Sequence, residues 1–225
     1  MGLVYIIFIG ITIASYVVQS SLKRKFEKYS QEPLDVPLTG RDVAAKMLHD
    51  NGVNNVNVTS VQGQLTDHYN PANGTVNLSD VVFSVNSVAS AAVAAHECGH
   101  ALQHAQGYAP LKLRTKLVPV VSFASQWMTW ILLGGILIFN WFPYLLGVGV
   151  FLFALTTLFS LITLPVEIDA SRRAVQWLER SGITQGETTG YARDALKSAA
   201  YTYVVAALSS MATLFYYAQM FLRRN

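Results

Sequence analysis

Hydrophobic and polar positions follow two different plans along this chain. Residues 2–18, 117–139, 142–165 and 199–222 are long apolar runs with almost no ionisable side chain. A helix needs about 20 apolar residues (range about 17–25) to cross a hydrocarbon core of about 30 Å, because each residue rises about 1.5 Å. Each run meets that requirement, so the pattern predicts about four transmembrane helices. The last run is the most polar of the four, with several Ala, Ser and Tyr residues. The first run has an alternative as a cleaved signal peptide. However, it lacks a basic leading region, and no small-residue cleavage site precedes Lys23.

The remaining residues, 19–116 and 166–198, are patterned at shorter range. A Pro-containing connector occupies residues 32–37. "TGRD" has capping-box spacing, with Thr39 as N-cap and Asp42 three residues on. Val43, Ala44, Met47 and Leu48 recur at helical spacing, and Gly52 is placed to stop that helix. "NVNVTSV" alternates Val56, Val58 and Val61, a strand pattern. "DHYNPANGT" reads as a turn-rich loop, since Asn-Pro and Asn-Gly are turn formers. "TVNLS", from Thr75 to Ser79, reads as a second short strand. The Ala-rich stretch from Ser87 to Gly107 reads as one helix. No internal repeat or low-complexity segment is present.

Composition agrees with this division. The 225 residues are 52% hydrophobic and 13% charged, too apolar for a soluble domain of this length. The fold class expected is therefore a mainly α integral membrane protein with a small sheet. It is read as one membrane-embedded domain over residues 1–225, with the lipid bilayer as a partner. One cysteine, Cys98, excludes an internal disulfide framework. The net charge of +3 calls for no nucleic acid, because basic residues beside the spans account for it. Lys23, Arg24, Lys25 and Lys28 follow the first span. Lys112, Arg114 and Lys116 precede the second, Arg172 and Arg173 follow the third, and Arg193 and Lys197 precede the fourth. With four spans, all of these fall on one side, and the uncharged Asn140–Trp141 connection falls on the other. Only Arg223 and Arg224 run against the pattern. The positive-inside rule then puts residues 19–116 and 166–198 in the cytoplasm.

The chemistry is concentrated in "AAHECGHALQH". His96 and His100 are four residues apart, so on a helix they share one face about one turn apart. Two imidazoles so placed can hold one Zn2+, which prefers four ligands. Glu97 flanks the ion and is placed to take a proton from a metal-activated water. The bland alternative is a buried polar helix with two satisfied histidines. Small residues precede the motif, and Gly99 costs a helix about 1 kcal/mol relative to Ala, which suggests close packing there. For a third ligand, His104 extends the same face but lies about 12 Å along the axis from His96 at about 1.5 Å per residue. Glu167, in "LPVEIDASRRA" at the cytoplasmic end of the third span, is the better candidate. The rival reading pairs Glu167 with Arg172 or Arg173. Asp169 is close by, but two residues along a helix it faces away from Glu167. Cys98 points away from the ion and reads as a packing residue.

"AAHECGHALQH", "DHYNP…TVNLS" and "LPVEIDASRRA" together resemble the bacterial neutral zinc metallopeptidase family of small membrane proteins, the YugP type. The resemblance covers essentially the whole chain. That family is similar in plan to gluzincins of the HtpX and CAAX-protease type. The resemblance implies a cytoplasmic gluzincin-like core, zinc ligands His96, His100 and Glu167, and Glu97 as catalytic residue. The acid that follows the Glu ligand in HtpX-like enzymes is not cleanly matched, since Asp169 is nearer to Glu167 than that pattern expects. Gluzincins present an open strand edge to the substrate backbone, a role for which Thr75–Ser79 is the candidate. The alternative is an ordinary short strand. His68 and Tyr69 are further candidates, as oxyanion donors or simply as turn-ordering residues.

The function expected is that of a zinc-dependent endopeptidase of the bacterial cell membrane, multi-pass, acting on a peptide or membrane-protein substrate from the cytoplasmic side. Glu97 serves as general base and then hands its proton to the leaving amine. The alternative is a membrane scaffold or adaptor with a structural or inactive metal site, which would have no need of a base at Glu97. A transporter is disfavoured because the spans hold almost no ionisable residues. Neither the physiological substrate nor the oligomeric state is written in the sequence.

Overall fold

The computed structural model of the chain describes residues 2–222, with side chains from Tyr5 onward. Arg223 and Arg224, the pair that opposes the charge pattern, lie outside the described residues. The elements in order are α1 (Gly2–Tyr29), α2 (Gly40–Asp50), β1 (Asn57–Val61), β2 (His68–Asn70), β3 (Thr75–Ser79), α3 (Asp80–Ser84), α4 (Val88–Ala105), α5 (Ala109–Leu137), α6 (Pro143–Arg180) and α7 (Glu187–Leu222). Among the described residues the chain is mainly helical, and four helices (α1, α5, α6 and α7) are long and apolar enough to cross a membrane.

The local chemistry accounts for the element boundaries. Thr39 caps α2 through a complete capping box: its side chain accepts from Asp42 N, and the Asp42 carboxylate accepts from Thr39 N. Gly52, at φ +71°, ends the helix in the left-handed region that glycine enters without a Cβ penalty. Ser87 caps α4 by accepting from Ser90 N. Helix α6 runs without interruption through Pro165, where the apolar run ends in the sequence. One helix thus carries both the third apolar run and the polar "VEIDASRRA" that follows it.

The chain divides into two compact units. One comprises residues 2–17, 112–165 and 202–222 and consists of the apolar stretches of the long helices. Within it, Gly135 of α5 lies so close to α6 that a Cβ would sit 2.7 Å from the backbone N and Cα of Leu146. Aromatic edges join Phe8 to Tyr216 and Phe153 to Tyr217, with ring centroids 5.8 and 6.1 Å apart.

The other unit comprises residues 18–111 and 166–201. Helix α4 is its centre, with 14 of its 18 residues buried, so no face of it is left simply to water. Val43, Ala44, Met47 and Leu48 of α2 pack into the same core as Val76 and Leu78 of β3, Val82 of α3, and Ala174, Trp177 and Leu178 of α6. The run of alanines in α4 permits this crowding, because short side chains let neighbouring backbones approach. Polar ties reinforce the unit. Lys25 Nζ donates to Asp194 Oδ1 at 2.8 Å, Tyr29 Oη to Asp194 Oδ2 at 2.7 Å, and Trp177 Nε1 to Asp50 Oδ2 at 3.2 Å.

The sheet corrects two expectations. Strand order is β1-β3-β2, with β3 parallel to β1 and antiparallel to β2. Thr75–Ser79 is therefore the middle strand, with both edges engaged, and is not the open edge. The supposed loop "DHYNP" contains β2, which pairs His68 with Asn77 and Asn70 with Thr75. A three-residue strand is too short to show alternation, and it forms because β3 offers it a partner edge.

Candidate metal centre

Helices α4 and α6 meet at a glycine. A Cβ on Gly99 would lie 2.7 Å from the Ala170 carbonyl oxygen and 3.1 Å from its Cα, so only glycine permits this approach. Gly99 sits between the two histidines of α4, and Ala170 one turn after Glu167 on α6. The close approach brings the three side chains together. His96 Nε2 lies 3.2 Å and His100 Nε2 3.5 Å from the same oxygen, Glu167 Oε2. One ligand atom from each residue lies within 4.8 Å of the others. The imidazoles meet edge to face, with centroids 4.8 Å apart.

Each histidine has a partner on its far side. His96 Nδ1 is 3.1 Å from Ser171 Oγ, and His100 Nδ1 is 3.1 Å from Gln103 Oε1. Both Nε2 atoms are thereby aimed at the Glu167 carboxylate. Glu167 is 2% exposed, and a carboxylate that deeply buried requires cationic or hydrogen-bonded company. Burial pushes the His100 imidazole down. The hydrogen bond to Glu167, the charges of Glu97 and Glu167, and the Gln103 contact outweigh it, and the net shift is upward. Two imidazole nitrogens and one carboxylate oxygen, convergent and mostly shielded from water, form a donor set that suits zinc.

Arg172 and Arg173 do not pair with Glu167 in the way the rival reading required. Both bond to Asp169, which also accepts from Gln103 Nε2 at 2.9 Å. Two residues along α6, Asp169 thus takes the arginines. His104 is outside the convergent group, and its Nδ1 shares a hydrogen bond with Tyr69 Oη, 2.8 Å away. His68 and Tyr69 are successive strand residues and point to opposite faces of the sheet. The His68 ring bonds to Thr66 O and the Asn77 amide, while the Tyr69 side chain reaches α4.

Glu97 is 8% exposed, and its Oε2 accepts the backbone N–H of Tyr69 at 3.0 Å. That bond ties β2 to α4 beside the two histidines. Cys98 is fully buried with Sγ 3.5 Å from Ala44 O, and burial pushes its thiol well above the ordinary range. It is a packing residue on the α2 side of the helix.

Ser171, Gln103 and the Tyr69 N–H were not singled out in the sequence. The first two had a signal: Gln103 is three residues after His100, and Ser171 four after Glu167, both same-face spacings on a helix. The Tyr69 N–H had none, because a backbone donor has no residue identity.

A protein of Bacillus subtilis (strain 168) named "Putative membrane protease YugP" is 41% identical over 220 residues, which cover 96% of this chain and 97% of that one. No solved structure matches the chain. The model of the family described as "Putative neutral zinc metallopeptidase" matches residues 4–222, and on that near-complete match, together with the relative's identity, the chain belongs to this family.

Proposed function

We propose that the protein is a zinc-dependent endopeptidase of the bacterial membrane, with His96, His100 and Glu167 as metal ligands and Glu97 as general base. The observation that carries this is the convergence of both imidazole Nε2 atoms on one buried Glu167 oxygen, with the Glu97 carboxylate on the same helix. Zinc held there would polarise the scissile carbonyl and lower the pKa of water at the site towards about 7. Water oxygen bonds to the carbonyl carbon, and the carbon–nitrogen bond then breaks. Glu97 takes a proton from the attacking water and delivers it to the leaving nitrogen. Its Oε2 is held by Tyr69 N–H, which fixes the carboxylate and leaves Oε1 for the proton.

The strand that suits an extended substrate is β2. It is terminal in the sheet, and Tyr69 directs its N–H to Glu97 and away from β3. The carbonyl of a strand residue leaves on the same edge as its N–H, so a peptide laid along β2 would pair beside the catalytic carboxylate. Substrates are unfolded segments of peptides or membrane proteins. In this reading the four apolar helices are multi-pass spans, and the basic residues beside them support a site on the cytoplasmic side.

A paired substitution tests this reading. Glu97→Gln keeps size and hydrogen bonding but removes the base, so zinc content and folding survive while cleavage of an unstructured substrate drops by about 100- to 10,000-fold. Glu167→Gln turns a charged ligand neutral and weakens zinc binding itself. A Glu97→Gln protein that cleaves at the wild-type rate refutes the mechanism and leaves the scaffold alternative. A Glu167→Gln protein that binds zinc like wild type refutes the ligand set.

A further inference from the structure

Gln103 is fully buried, 0% exposed, and every atom of its amide has a partner. Nε2 lies 2.9 Å from the Val166 carbonyl oxygen and 2.9 Å from Asp169 Oδ2. Both of those atoms are acceptors. The Val166 oxygen is a carbonyl, and the Asp169 carboxylate is held by Arg172 and Arg173. Two acceptors on one end of the amide fix which end is nitrogen, and the oxygen must face the other way, towards His100 Nδ1 at 3.1 Å. An amide oxygen can only accept, so His100 Nδ1 must carry a hydrogen. In the neutral ring that leaves Nε2, the nitrogen facing Glu167, with its lone pair.

We propose that Gln103 is a positioning residue that holds His100 in the Nδ1–H tautomer, and that Asp169, anchored by Arg172 and Arg173, sets the direction of this relay. The inference rests on His100 serving as a metal ligand, since only then does the choice of ring nitrogen matter for function. The relay gives Asp169 a role as the anchor behind one histidine. His96 differs: its Nδ1 faces the Ser171 hydroxyl, which can donate or accept, so that contact imposes no tautomer.

The relay can be broken at the Gln103 amide. Gln103→Met keeps the volume and removes both ends of the amide. In the full chain, purified in detergent, zinc affinity measured against a chromophoric chelator should fall by about 10- to 100-fold, the usual effect of removing an outer partner of a ligating histidine. A Gln103→Met protein that binds zinc like wild type overturns the proposal.

A measurement on the unaltered protein stands apart from the variant. Nitrogen-15 spectra of the histidine-labelled, zinc-loaded chain should show the hydrogen of His100 on Nδ1. A hydrogen on Nε2 overturns the proposal even where Gln103→Met fails to fold. If the wild-type chain takes up no zinc, the metal reading fails by itself. The tautomer is then read on the metal-free chain at a pH where His100 is neutral, with the same two outcomes.

Discussion

Substituting Gly99 by Ala tests whether the close approach of α4 and α6 builds the proposed metal centre. The added Cβ would stand 2.7, 3.1 and 3.2 Å from the carbonyl oxygen, Cα and carbonyl carbon of Ala170, whereas ordinary contact begins at 3.4 Å. The obstructing atoms are backbone, so no side chain can swing aside and the helices must separate by about 0.7 Å. Overpacking costs about 1–3 kcal/mol, and replacing glycine in a helix returns about 1 kcal/mol, so net destabilisation is about 0–2 kcal/mol. The effect on the metal is larger. His96 and His100 move with α4 and Glu167 moves with α6, while metal–ligand distances tolerate only about 0.2 Å of error. Zinc affinity should therefore fall by about 10-fold or more, the scale on which misplaced ligand surroundings act. The assay is a chelator competition beside thermal unfolding in the same detergent. Gly190→Ala in α7 is the control. A Cβ there meets nothing within 4 Å, so stability should rise by up to about 1 kcal/mol with zinc binding unchanged. A Gly99→Ala protein with wild-type zinc affinity and undiminished stability would show that the approach is not what sets the ligand geometry.

Cys98, fully buried with its thiol pushed up and hence protonated at neutral pH, should resist alkylation in the folded protein and react on unfolding; mass spectrometry that finds it modified in native protein contradicts the packing. That inertness also allows topology to be mapped with single introduced cysteines. One at Asn140 should label from outside sealed cells and one at Glu187 only after permeabilisation, and the reverse pattern rejects the cytoplasmic assignment. Leu78→Ala, at a fully buried position in the middle strand, should cost about 2–5 kcal/mol in denaturant unfolding; a cost below about 1 kcal/mol would mean that β3 is not part of this core.

Much of the molecule follows from local rules that a single sequence displays. Apolar run length marked the four long helices, Thr39 with Asp42 and Gly52 marked the ends of α2, and "TVNLS" marked β3 to the residue. His96 and His100 were legible because a four-residue spacing has one meaning on a helix. The sequence offered Glu167 as the third member of the histidine group but left its pairing with Arg172 or Arg173 as a rival, and it left strand order open. β3 is a middle strand because β2, three residues with no period of their own, pairs with it. Arg172 and Arg173 bind Asp169, leaving Glu167 to the histidines 71 and 67 residues earlier. That partition turns on how near Gly99 lets α4 come to Ala170, a matter of atoms in contact between two helices. Local patterns record the conformation a segment favours by itself. Ligand sets, strand order and hydrogen-bond relays are properties of pairs of distant segments, and only packing fixes them.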